Sequence, residues 1–233
     1  GGVAARFPYT PMSCAAPPEG EFAPPPGTYA PNRRHVVRPG STYRLEIDVG
    51  PRFGEGGALV TAETTVPDTF RVVEAPPDTV RYDVLAPPPT TVVTPSETRG
   101  RPTVYLFTIE ALEPDVYGLT PAIAQLVEET DSDPDDLVRS ASPLLNEGNY
   151  TTNPDGTLNL QVPWFAIAYY GPNRLTANAV DDALYDFLRT RESQATPTTL
   201  SPGEIQRVLS NVENGTGVFG SLASVSTRTF IAP

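Results

Sequence analysis

Lysine is missing from this chain altogether. All 16 basic residues are arginine, set against 28 acids, for a formal net charge of −12. Nucleic-acid binding needs a basic face, so nucleic acid is not an expected partner, and an anionic bilayer surface is not expected either, on the same ground. The plain reading of such a charge is solubility. One cysteine, Cys14, excludes an internal disulfide and a cysteine-built metal site. One histidine, His35, would have to serve any Ser-His-Asp or Cys-His machinery, and it is lodged between Arg34 and Val36 in a proline-flanked segment. No run of 18 apolar residues occurs, so no helix is expected to cross a membrane. The first residues supply neither an initiator methionine nor the charged and apolar regions of a signal peptide, and the chain reads as a mature or truncated form.

Proline is the residue in excess, at 28 of 233, about twice average usage. With 18 glycines it argues against a helical bundle and for short strands joined by many turns. Ten tyrosines and nine phenylalanines supply a core. Residues 1–39 read as a proline-rich irregular segment. Residues 40–115 read as a β-sandwich part. Residues 116–233 read as a second β-rich part with two short helices, closing the first sandwich or forming another.

Regular structure starts after Pro39-Gly40. Tyr43, Leu45, Ile47 and Val49 alternate with Arg44, Glu46 and Asp48, which predicts a strand with one buried face. A glycine turn at 54–57 joins it to a second strand over 58–65, a hairpin. Further strands are expected at 70–73, 80–85, 90–94, 104–109, 158–162, 164–170 and 174–180. Helical spacing is weak at 121–127 and clearer at 181–189, where Leu184, Phe187 and Leu188 share a side. Ser201-Pro202-Gly203-Glu204 reads as a helix start with a capping serine, and Ile205, Val208 and Leu209 give it an apolar stripe. Asn214-Gly215-Thr216-Gly217 then turns the chain into a closing strand, with Phe219 expected in the core.

Three segments carry a family resemblance: RPGSTYRLEIDV followed by ALVTAETTVP, then LTANAVDDALYDFLRTRES, then LSNVENGTGVFGS. Together they resemble domain of unknown function 4249, a family of Bacteroidota lipoproteins, over residues 38–75 and 174–231. The most specific motif is Asn211 to Gly220. The family's lipobox cysteine and first strands have no counterpart in these residues. The resemblance implies an envelope location at the outer membrane, a lipid anchor carried by the N-terminal part, and association with an outer-membrane transporter or another envelope protein. It brings no catalytic residues.

Four groups of residues have the composition of a site. Asp131, Asp133 and Asp135 recur at every second position, like the oxygen ligands that open an EF-hand calcium loop. Asp136 and Ser142 stand where that loop has its glycine and its bidentate glutamate, so the stretch reads as a solvated acidic loop. Asp181 and Asp182 could pair with Glu204 or Glu213 as general acid and base, although acids at a helix start are what the helix dipole favours anyway. Trp164, Tyr169 and Tyr170, with Phe165, have the composition of a sugar-stacking platform, or of one core-facing side of a strand. The Asn214 to Gly217 loop lacks the lysine and the following helix of a phosphate-binding loop.

The expected fold is mostly β, an immunoglobulin-like or fibronectin-like sandwich with two short C-terminal helices. The expected function is that of a non-enzymatic envelope lipoprotein, an accessory or binding module without a cofactor. A carbohydrate-binding or calcium-dependent adhesion domain is the alternative.

Overall fold

The computed structural model describes residues 37–49, 57–97, 102–195 and 208–233. Pro39–Pro233 form one compact unit. Its strands, in chain order, are β1 (Thr42–Val49), β2 (Ala58–Thr65), β3 (Val72–Glu74), β4 (Thr79–Arg81), β5 (Thr90–Val93), β6 (Val104–Ala111), β7 (Arg139–Ala141), β8 (Thr151–Thr152), β9 (Leu158–Gln161), β10 (Gly171–Val180), β11 (Val212–Glu213) and β12 (Leu222–Ala232). Two helices join them, α1 (Pro121–Thr130) and α2 (Asp182–Ala195). The chain is mostly β, as its turn-rich composition predicts.

The strands make three sheets, ordered β1-β2-β11, β4-β12-β10-β6-β7 and β3-β5-β9-β8. All pairs are antiparallel except β12 with β4. The main core draws on both larger sheets: Val93, Leu158 and Leu160 from the four-stranded one, Phe107, Ile109, Leu175 and Ile231 from the five-stranded one. These are alternate positions of β-branched, aliphatic and aromatic residues, the pattern that buries one face of each sheet. A smaller cluster seats α1, through Ile123, on Ala111, Ala168 and Tyr169. Residues from before and after position 115 mix in every sheet.

The β1–β2 hairpin forms in the expected register, with Tyr43 opposite Thr64, Leu45 opposite Ala62 and Ile47 opposite Val60. Its apolar face is only half-buried on β1. The reason is position: β1 is an edge strand, while its neighbour β2 buries Ala62 and Thr64 beside it. Leu45→Ala is therefore expected to cost about 1–2 kcal/mol in urea unfolding, below the roughly 2–5 kcal/mol of a fully buried leucine. A loss above about 3 kcal/mol would show that the face is covered.

Several expected elements come out differently. Residues 164–170 do not form a strand: Trp164–Ala166 is a 3-10 turn entered from Pro163. A continuous apolar run does not by itself separate strand from buried turn. The strand expected over 80–85 stops at Arg81, where Asp83 captures the Leu85 amide at 2.9 Å. α1 takes Glu128 and Glu129 out of the acidic loop and ends on Asp131, whose φ of 52° is left-handed. The helix start at 201–204 lies outside the described residues; Val208 and Leu209 are not helical. The two described helices are thus α1 and α2, and only α2 is near the C-terminus.

The closing strand does form, with β12 paired to β10 from Leu222↔Val180 to Ile231↔Gly171. Gly217 has a φ of 137° and Asn214 a φ of 56°, while Gly215 is not in the left-handed region. Phe219 is half-buried rather than buried. What fixes it is Asn211, whose side chain accepts from the Phe219 amide at 3.0 Å and donates to its carbonyl at 2.9 Å.

Candidate functional site

Strand register assigns the loops to two ends of the larger sheets. β4, β6 and β12 finish, and β5 and β10 begin, at one end. Three loops meet there: 82–89, 112–120 and 162–170. In the first, Asp83 holds the Leu85 amide and its carbonyl accepts from Ala86, a turn that throws Val84 and Leu85 outward. In the second, Asp115 holds the Tyr117 amide at 3.0 Å and its carbonyl accepts from Gly118. Leu85 is 93% exposed and Tyr117 96%. Both are presented two residues after an aspartate, in Asp-Val-Leu and Asp-Val-Tyr, by the same local hydrogen bond. In the third loop the turn at Trp164 leaves Phe165 largely exposed.

These tips rest on a fixed base. Tyr82 packs edge-on against Trp164 at 5.1 Å and Tyr170 at 5.7 Å. The Trp164 indole donates to the Ala86 carbonyl at 3.0 Å, and the Tyr170 amide to the Gly118 carbonyl at 2.8 Å, so each loop is tied to the third. Burial, with Tyr82 beside it, raises the Tyr170 phenol above its ordinary pKa. The surroundings are acidic: from Ala111 to Val138 the chain carries eight acids and no arginine.

Trp164 and Tyr169 are core residues, and Tyr170 is covered in part by Tyr82. The structure brings Trp164 and Tyr170 around one ring, but it does not give them the open face that sugar stacking requires. Tyr169 instead pins the acidic loop, donating its hydroxyl to the Pro134 carbonyl at 2.6 Å. Burial first, then Asp135 and Asp133, raises its pKa. In that loop the Asp133 carboxylate accepts from the Asp135 amide at 3.0 Å, and Asp131 ends α1 through its left-handed backbone. Among the described residues no group of three or more His, Cys, Asp or Glu side chains is placed to hold a metal.

The carboxylates weighed as an acid–base pair are kept apart. Asp181 accepts from the Thr64 hydroxyl at 2.5 Å and caps α2 through the Leu184 amide at 2.9 Å. Glu213 accepts from the Thr61 hydroxyl at 2.7 Å. Thr61 and Thr64 are an odd number of residues apart on β2, so they face opposite sides of the sheet. Glu204, His35 and Cys14 lie outside the described residues.

At the opposite end, a shallow groove of about 430 Å³ lies over Tyr105 and Tyr150, with Glu97 and Glu147 on its rim. The Tyr105 hydroxyl accepts from the Ser96 amide at 2.9 Å, and Tyr150 donates to the Thr103 carbonyl at 3.1 Å. Burial pushes the Tyr105 phenol up to about 12. A phenol so held stays protonated at neutral pH and is a poor base.

The residues that sequence reasoning passed over are Leu85 and Tyr117, whereas Phe165 stood in the aromatic group already singled out. The repeated Asp-Val-apolar tripeptide was their signal, since an aspartate two residues before an apolar group makes a turn as readily as a strand end. No curated protein and no solved structure matches the chain. A family model, described as domain of unknown function 4249, matches residues 16–228, a wider span than the motif segments alone, and bridges the stretch between them. By that match the chain belongs to the DUF4249 family.

Proposed function

We propose that this protein is a non-enzymatic binding module of the cell envelope, which docks on a protein partner through the loop end that carries Val84, Leu85, Tyr117 and Phe165. The observation that carries the reading is the near-complete exposure of Leu85 and Tyr117 on turns already fixed by Asp83 and Asp115. Apolar side chains grouped on ordered loops mark an interaction surface. Because the backbone is fixed beforehand, little ordering is left to be done on binding. The acidic flank selects the occupant. Anionic headgroups are repelled, whereas a protein with an apolar pocket rimmed by arginine or lysine is complementary. The envelope setting, an anchor in the N-terminal part and service to an outer-membrane transport complex follow from family resemblance.

The test uses a photo-reactive residue at position 85 or 117 in envelope membranes. Both positions should give the same discrete protein adduct, and position 65, on the distant hairpin, should give none. Adducts to phospholipid, or none from either loop, would sink the reading.

A further inference from the structure

The outer face of the five-stranded sheet holds a pattern that the loop end does not explain. Register aligns Arg139 with Glu110, Glu110 with Arg174, and Arg174 with Arg228, one residue from each of β7, β6, β10 and β12. This is a single row across four strands. Glu110 binds Arg174 at 2.6 Å. Arg139 and Arg228 are exposed, and no carboxylate is paired with either among the described residues. Like charges directly opposite one another destabilise a sheet, and here Arg174 faces Arg228. The row therefore concentrates positive charge on a chain whose net charge is −12.

The next rows on the same face are hydroxyl and amide. Thr176 and Ser226 bond at 2.9 Å, Ser224 donates to Asn178 at 2.7 Å, and Asn178 donates to Thr108 at 3.1 Å. Beyond the arginines, on the other side, Phe230 is 46% exposed. Along β12 the exposed side chains thus run Phe230, Arg228, Ser226, Ser224.

We propose that this face binds a polysaccharide bearing carboxylate groups, such as a uronic-acid polymer. The guanidinium groups of Arg228 and Arg174 take the carboxylate in paired hydrogen bonds. The exposed Ser226 and Ser224 hydroxyls, backed by Thr176 and the buried Asn178, meet the sugar hydroxyls, and the Phe230 ring offers a face to a pyranose. A protein partner's acidic edge is disfavoured, because between Phe230 and Leu222 the exposed side chains of β12 are all polar and leave no large apolar group to form an interface core. The site is on a sheet face and is independent of the loop-end reading.

Calorimetry with oligogalacturonate, with a neutral glucan oligomer of equal length and with polyglutamate decides it. The protein should bind oligogalacturonate saturably, at least tenfold more weakly in 500 mM than in 50 mM salt. It should ignore the glucan and polyglutamate. Arg228→Gln and Arg139→Gln remove exposed, unpaired cations, so both should fold as well as the parent and each should weaken binding about tenfold. Phe230→Ser should weaken it at both salt concentrations. Leu85→Ser should leave it unchanged. No saturable binding, equal binding of the glucan, equal binding of polyglutamate, or an unchanged affinity in Arg228→Gln would each overturn the proposal.

Discussion

Replacing Asp181 with alanine is expected to destabilise the protein by about 2–4 kcal/mol and to lower its Tm by on the order of 10 °C. Asp181 is 3% exposed and ties four segments together. One carboxylate oxygen caps α2 through the Leu184 amide; the other takes the Thr64 hydroxyl from β2. Its own amide reaches the Ser221 carbonyl, where β12 begins, and its carbonyl accepts from Tyr185. Alanine removes a helix cap, worth about 1 kcal/mol. It also removes the carboxylate acceptor of the buried Thr64 hydroxyl, worth about 1–3 kcal/mol more. Asp181→Asn keeps the cap, and Thr64 still has Ser221 at 2.6 Å, so a loss of about 1–2 kcal/mol is expected there. Gly220→Ala strikes the same junction by volume: its Cβ would sit 2.7 Å from the Leu184 Cβ and 3.3 Å from the Leu184 Cα. Urea unfolding checks all three. A loss under about 1 kcal/mol for Asp181→Ala would show the junction to be dispensable.

The second large effect is a loss of stability in alkali. Tyr105 is fully buried, and burial pushes its phenol from the ordinary 10.0 up to about 12. Its raised folded pKa fixes the sign: the unfolded chain releases this proton first. The contribution is intact below pH 10 and falls as pH rises from about 10 to about 12, by about 2–3 kcal/mol. Burial raises Tyr150, Tyr169 and Tyr170 as well, so they act in the same direction. Arginine stays charged over this range, and the chain has no lysine to titrate alongside. Tyr105→Phe should lose about 1–2 kcal/mol near pH 8, because the Ser96 amide is left without its acceptor. It should then lose less than the parent protein between pH 8 and 11. Equal alkaline slopes for the two proteins would assign the effect elsewhere.

The hairpin and the long central strands could be read from the residues because strict alternation has one structural meaning, and β1, β2, β6 and β10 lie where it puts them. How deeply each strand is buried could not be read. Tyr43, Leu45 and Ile47 form as good an alternating set as Phe107 and Ile109, yet only the latter lie under a second sheet. That depends on sheet order, which pairs strands distant in sequence such as β12 and β4. The aromatic segment 164–170 was found as a place of interest, but its rings are turned inward except for Phe165. A 3-10 turn has no period-2 face, so composition there did not say which ring emerges. The arginine row was invisible for a similar reason. Arg139, Glu110, Arg174 and Arg228 are scattered along the chain and meet only through register.

β12 lies inside the five-stranded sheet, with β10 on one side and β4 on the other. During synthesis its residues are the last of the described chain to emerge. Until they do, β10 has an open edge ten residues long, and β4 has no partner in that sheet. The compact unit therefore cannot close its core by stages as the chain lengthens. A chain cut short before position 222 would be left as an adhesive, protease-sensitive intermediate, with the long edge of β10 open to any other strand.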